Sequence, residues 1–216
     1  MAGCCDSRGC DAVFGDRFAR RTAARYRRRG LSATEQRMVD IITSRGVEGA
    51  TVLEIGGGVG TLQIELLRAG AAHATNLELV DSYDTHARRL AVDAGVAERM
   101  ERRVLDIAVD ARSVAAADVV VLHRVVCCYP DVDRLLGAAA GRAQRLLLFS
   151  HPPRNPASRA WVATQNTVLG LTGKTYRTFL HRPSAMVATV EAHGLSPVAE
   201  HRGFAWHVMG FERPAA

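Results

Sequence analysis

Lysine is almost absent from this sequence: Lys174 stands alone, so arginine supplies nearly all of the 28 basic residues behind a formal net charge of +6. A surplus carried by one residue type reflects compositional bias more than selection for phosphate contacts, and it excludes little about partners. No apolar run reaches the roughly eighteen residues of a membrane span. The opening MAGCCDSRGCDAVFG also lacks a charged segment followed by an apolar stretch and a cleavage site, so a soluble, cytoplasmic chain is expected with no membrane association. Cysteine is sparse and odd in number, with Cys4, Cys5 and Cys10 near the start and Cys127 beside Cys128 in mid-chain. Without a secretion signal this predicts reduced thiols, and because adjacent Cys4 and Cys5 chelate poorly, no metal site is expected. Repeats and low-complexity linkers are missing as well. With 216 residues, 48% of them hydrophobic, the chain can bury one sizeable core, and a single globular unit is expected.

What is present is an alternation of strand-like and helix-like stretches after residue 50, the pattern of a parallel sheet with crossover helices. TVLEI reads as a strand, GTLQIELLRAG as a helix stopped by Gly70, ATNLELV as a strand, SYDTHARRLAVDAG as a helix closed by Gly95, and ERRVLDI as a third strand. ADVVVLHRVV is the most apolar strand, as a central parallel strand buried on both faces should be. A helix over Val132 to Ala140 precedes the strand in RLLLFSHPP. Helices around Ala157 to Leu171 and Pro183 to Ala192, then the strands SPVAEHRG and FAWHVMGFE, complete the chain. Upstream lie helices at Asp11 to Arg29 and Ala33 to Ser44, the second opened by a Ser32–Glu35 capping box. The expected fold is α/β: a Rossmann-like seven-stranded sheet, mostly parallel with an antiparallel last strand, helices on both faces, residues 1–45 forming a helical arm or lid and residues 46–216 the main domain.

Ligands of open parallel sheets bind outside the carboxyl ends of the strands. There the first strand delivers TVLEIGGGVG, with Gly56, Gly57, Gly58 and Gly60 following Glu54. Glycines at such a turn permit positive φ and let a ligand lie against backbone N–H groups. Glu78 near the end of the second strand suits ribose hydroxyls, and Asp106 ends the third. A dinucleotide fingerprint does not fit, because its third glycine would fall on Thr61 or Gln63. Glu54 would repel a pyrophosphate but suits a ligand with an ammonium group.

The pattern E-x-G-x-G-x-G at Glu54, Gly56, Gly58 and Gly60 resembles motif I of class I S-adenosylmethionine-dependent methyltransferases, and the likeness extends over most of the chain. The resemblance implies S-adenosyl-L-methionine as cofactor. The glycine loop would meet its methionyl part, Glu78 the ribose hydroxyls, Asp106 the adenine amino group, and Ile107 would lie beside the adenine ring. Enzymes of this class that methylate exocyclic amines carry an Asn/Asp-Pro-Pro-Tyr type sequence after strand four. HRVVCCYPD has none, which disfavours nucleic-acid amino groups. The stretch is most similar to the magnesium-protoporphyrin O-methyltransferase group and its small bacterial relatives, in which a histidine before the Tyr-Pro and a tyrosine of the arm are implicated in catalysis. Tyr26 matches the tyrosine, whereas Cys128 stands in place of the histidine, a departure that points away from a tetrapyrrole and toward general O-methyl transfer.

His123, leaving the central strand, is the preferred base, because an imidazole can take a hydroxyl proton near neutral pH. His151 and Tyr26 are further catalytic candidates. The implied acceptor is a small molecule offering an alcohol, phenol, sugar hydroxyl or carboxylate, bound by the arm and by the segment from His151 to His181. Two alternatives stand beside this reading: an RNA methyltransferase using the arginines from Arg17 to Arg29, and a non-catalytic cofactor-binding subunit. A fold of the arm over the cofactor would bring Cys4, Cys5 and Cys10 toward Cys127 and Cys128.

Overall fold

The computed structural model describes residues 7–214, so Cys4 and Cys5 lie outside the described residues. Three helices lead, α1 (Ser7–Phe14), α2 (Asp16–Arg29) and α3 (Ala33–Ser44). The alternating part then runs β1 (Thr51–Ile55), α4 (Thr61–Arg68), β2 (His73–Glu78), α5 (Asp84–Asp93), β3 (Met100–Val104), β4 (Ala117–Leu122), α6 (Val132–Ala140) and β5 (Ala143–His151). It closes with α7 (Pro156–Leu171), α8 (Pro183–Glu191), β6 (Ser196–Arg202) and β7 (His207–Glu212).

The seven strands form one sheet in the order β3-β2-β1-β4-β5-β7-β6. All pairings are parallel except those of β7, which runs antiparallel to both β5 and β6. The expected seven-stranded α/β architecture with its antiparallel last strand is therefore present. Strand order reverses between β1 and β4, which opens a crevice beyond their carboxyl ends.

Alternation of side chains along each strand divides the core into two layers. Val52, Val119, Val121, Leu146 and Leu148 pack on one face with Ala19, Met38, Ile42, Leu62 and Leu90 from α2 to α5. Leu53, Val120, Leu122, Leu147 and Phe149 pack on the other with Leu135, Leu136, Met186 and Val190 from α6 and α8.

Three element boundaries differ from expectation. The helix expected over Asp11 to Arg29 is two, because the chain turns at extended Gly15, where a Cβ would stand 2.9 Å from the Asp11 carbonyl oxygen. β4 ends at Leu122, since Arg124 takes the left-handed conformation at φ 59° and donates its N–H to Ser150 Oγ at 2.9 Å. β3 ends at Val104, before Asp106, whose carboxylate turns back to accept the Ala108 N–H at 2.9 Å.

Candidate active site

The crevice at the strand reversal opens into a cavity of about 530 Å³, the size of a small-molecule site. Its lining contains Glu54, Gly56, Glu78, Asp106, Ile107 and His123. The sequence candidates for cofactor contact thus converge, together with Gly58. Gly60 stands just behind as the left-handed N-cap of α4, at φ 79°.

Sheet register explains the floor. Glu54 pairs with Asn76 and Asn76 with Arg102, so three polar side chains cross β1, β2 and β3 in one row on one face. Asn76 Oδ1 accepts the Gly57 N–H at 3.0 Å, and Glu78 accepts the Gly58 N–H through Oε1. Two carboxamide and carboxylate oxygens therefore fix the glycine turn from below. A side chain at Gly57 would collide with them: its Cβ would stand 2.5 Å from Glu54 Cδ and 2.9 Å from Asn76 Oδ1. Gly56 and Gly58 hold φ of 67° and 58°, a region glycine enters freely.

Around the glycine turn the electrostatics are those of a site short of positive charge. Glu54 is fully buried and its Oε2 has no hydrogen-bond partner among the described residues. Burial, then the neighbouring Glu78 and Glu35, push its carboxyl up to about 8 despite Arg102. Burial also raises Glu78 to about 7, against the pull of the Gly58 N–H and Arg102. Arg102 is held by Asp84 through Nε at 3.0 Å, and both its terminal nitrogens are buried with no hydrogen-bond partner among the described residues. Glu35 differs. Burial opposes its charge, but hydrogen bonds from Ser32 and Thr61 prevail and hold it near about 2.

His123 follows β4 on the Glu54 side of the sheet, with Nδ1 2.9 Å from Ser150 Oγ. Burial and the charges of Arg124 and Arg25, partly offset by Glu35, press its pKa down to about 4. The imidazole is therefore neutral across the physiological range, with Nε2 left as the nitrogen that can meet a ligand.

The other two catalytic candidates do not reach the cavity. His151 follows Ser150 by one residue and so points to the opposite face; its Nδ1 lies 2.9 Å from the Pro152 carbonyl oxygen and its ring meets His207. Tyr26 is on the inner face of α2 with Ala19 and Ala23, and its hydroxyl donates to Glu65. Burial pushes that phenol upward, so it stays protonated. The segment from His151 to His181 contributes no lining residue either. Its Tyr176 instead braces the wall, 2.9 Å from Cys128 Sγ and edge-on to Phe14 at 5.1 Å.

The arm supplies more of the wall than expected: Cys10, Phe14, Phe18, Arg21, Thr22 and Arg25. Cys10 and Cys128 line the same cavity, and Cys127 lies beside Cys128 with the two Sγ atoms 3.7 Å apart. Residues that sequence reasoning missed include Asn76, Arg102, Ser150 and Tyr129, whose hydroxyl donates to Asp106 Oδ2 at 2.9 Å. β2 reads HATNLE, so polar Asn76 does not stand out there from His73, Thr75 and Glu78.

This strand order, with the glycine turn below the crevice, is the class I S-adenosylmethionine-dependent methyltransferase fold. No protein-family model matches the chain, and no curated protein matches it. Among solved structures, magnesium protoporphyrin IX methyltransferase from Synechocystis PCC 6803 with bound SAH is similar over 84% of this chain and 82% of that chain, at 20% identity and a TM-score of 0.66. An O-methyltransferase family protein from Burkholderia thailandensis is similar over 91% of this chain and 60% of that one, at 22% identity and a TM-score of 0.69. An O-methyltransferase family 2 protein from Planctomyces limnophilus DSM 3776, solved in complex with apigenin, is 18% identical over 92% of this chain and 62% of its own, with a TM-score of 0.66. No helix among the described residues is long and apolar enough to cross a membrane.

Proposed function

We infer that the protein is an S-adenosylmethionine-dependent methyltransferase that acts on oxygen of a small molecule. The observation that carries this reading is Glu54: a buried carboxylate with an orphaned oxygen beside a glycine turn calls for a cationic ligand, and an amino-acid ammonium supplies it. The remaining donors and acceptors fit the same cofactor. Glu78 faces the cavity where two ribose hydroxyls can donate, Asp106 offers an acceptor for an adenine amino group, and Ile107 gives an apolar surface for a ring. When bound, the cofactor supplies a methyl group on a positively charged sulfur, open to displacement by a lone pair.

The protein's own contribution is placement and proton transfer. The glycine turn and Glu54 orient the donor, while Phe14, Phe18 and Leu135 line the cavity with apolar surface that excludes water. His123, positioned by Ser150, accepts the proton of the acceptor hydroxyl through Nε2. Two features support a small acceptor over RNA. The cavity is of small-molecule size, and part of the arginine-rich helix is engaged internally, with Arg25 on Glu35 at 3.2 Å and Arg27 on Asp93 at 2.8 Å.

The low pKa of His123 makes a specific pH signature. An ordinary histidine base loses activity as pH falls through 6.5; a base titrating at about 4 stays deprotonated, so kcat at saturating cofactor should show no acid limb between pH 6 and pH 8, while the titrations of Glu78 and Glu54 in that window fall on cofactor affinity. Because a weak base transfers protons with less driving force, His123→Gln is expected to lower kcat only about tenfold while leaving cofactor affinity unchanged. Release of S-adenosylhomocysteine over a panel of hydroxylated small molecules reads both. An acid limb centred near pH 6.5, or an unaltered kcat in the variant, reassigns the proton acceptor.

A further inference from the structure

Three arginines line the cavity, and among the described residues two of them have no carboxylate within ion-pair distance, although Glu35 lies near enough to Arg124 for its charge to act on it. Arg21 and Arg25 are four residues apart on α2 and so share a face of the helix. Both line the cavity, as does Arg124 after β4. Arg25 is taken by Glu35, but among the described residues no carboxylate pairs with Arg21 or Arg124. Arg124 is nevertheless held firmly. Its guanidinium carbon lies 5.0 Å from the centre of the Trp206 ring, and its backbone is locked at φ 59° by the hydrogen bond to Ser150. Strained left-handed backbone at a residue other than glycine is kept where it aims a group at a task. Ser150 is the same side chain that positions His123, so the aim of Arg124 and that of the imidazole are mechanically tied. Phe14 and Phe18 complete this part of the wall, and Phe18 remains 45% exposed, an apolar surface open to a ligand.

We propose that the methyl acceptor is a hydroxylated aromatic acid, whose carboxylate is anchored by Arg124 with Arg21 while its hydroxyl is presented to His123. The planar guanidinium matches a carboxylate in two-point contact. Phe14 and Phe18 match the ring, and the opposed charges within the cavity separate an acidic subsite for the cationic donor from a basic one for the anionic acceptor. The proposal rests on the methyltransferase reading for the identity of the donor, but the acid subsite can be measured without it.

The test is calorimetric titration of the full chain with 4-hydroxybenzoate, 4-hydroxycinnamate and their carboxamides, each with and without saturating S-adenosylhomocysteine. The acids are expected to bind at least tenfold more tightly than the amides, a preference lost in Arg124→Asn and reduced in Arg21→Gln. Asparagine tolerates left-handed backbone, so the Arg124 variant keeps the loop's conformation. A panel in which no acid is preferred, including one in which nothing binds, overturns the proposal, as does a preference that survives both substitutions. Failure of S-adenosylhomocysteine to bind while the acid preference holds would instead strike only the methyltransferase reading.

Discussion

Glu54→Gln is expected to make the unliganded protein more stable and the cofactor site much worse. The carboxyl titrates near about 8 in the fold, against 4.5 for an ordinary glutamate. A folded-state pKa that is raised means the native protein holds a proton the unfolded chain has lost. Stability therefore falls as pH rises from about 4.5, and the full penalty is reached above pH 8. An unmatched charge at this depth costs on the order of 3 kcal/mol there. Glutamine removes the charge with little change of shape, so at pH 8 the variant should melt about 6–12 °C above the wild type, and most of the gap should close at pH 5. Cofactor affinity should fall about a hundredfold, because a charge-assisted hydrogen bond to the ammonium is lost. Thermal scans at the two pH values and one titration check both halves. A variant that melts lower than the wild type at pH 8 would show that Glu54 is a structural anion rather than one kept for a cation.

Gly57→Ala should produce the larger loss of binding. This glycine is not one of the motif's spaced positions and has an unremarkable φ, yet its added methyl would press on Glu54 and Asn76 together. Both are buried, so neither can swing aside into solvent. The turn would have to lift, breaking the Gly57 N–H bond to Asn76 and displacing the Gly58 N–H from Glu78. Overpacking of this kind costs about 1–3 kcal/mol of stability. Since the proposed cofactor would lie against the same turn, S-adenosylmethionine affinity should drop by about a thousandfold, measured by calorimetry on protein whose circular dichroism is unchanged. Affinity within about threefold of the wild type would mean the turn is looser than its hydrogen bonds imply.

The contrast between Gly57 and its neighbours shows what was legible in the sequence. Glu54, Gly56 and Gly58 occur in one strand and its turn, so their spacing alone placed them together; Glu78 and Asp106 followed from the rule that ligands meet strand ends, and Ile107 only from the family resemblance. Lateral register is invisible in a linear pattern. It alone brings Asn76 and Arg102 beside Glu54, and it decides that Ser150 rather than His151 faces the crevice. One residue of register separates a positioning hydroxyl from a histidine on the far face. The early end of β4 was hidden for a different reason. HRVV continues an apolar, β-branched pattern, and only the tertiary bond from Arg124 to Ser150 turns the chain there. The segment from His151 to His181 is expected in the acceptor wall because insertions after strands four and five flank the methyl donor in this fold, but its Tyr176 supports Cys128 and Phe14 from behind. The other expected contributor, the arm, does line the cavity through α1 and α2, and the amphipathic pattern of α2 buries Ala19, Ala23 and Tyr26 while Arg21 and Arg25 face the cavity.

The measurement that bears most directly on the central claim is titration of S-adenosylmethionine and S-adenosylhomocysteine into the wild-type protein and into Glu78→Ala. Glu78 both fixes the Gly58 N–H and faces the place expected for the ribose. Micromolar binding by the wild type, weakened at least a hundredfold by the substitution, is the predicted result. A folded wild type that binds neither compound would contradict the account and return the glycine turn to a different ligand.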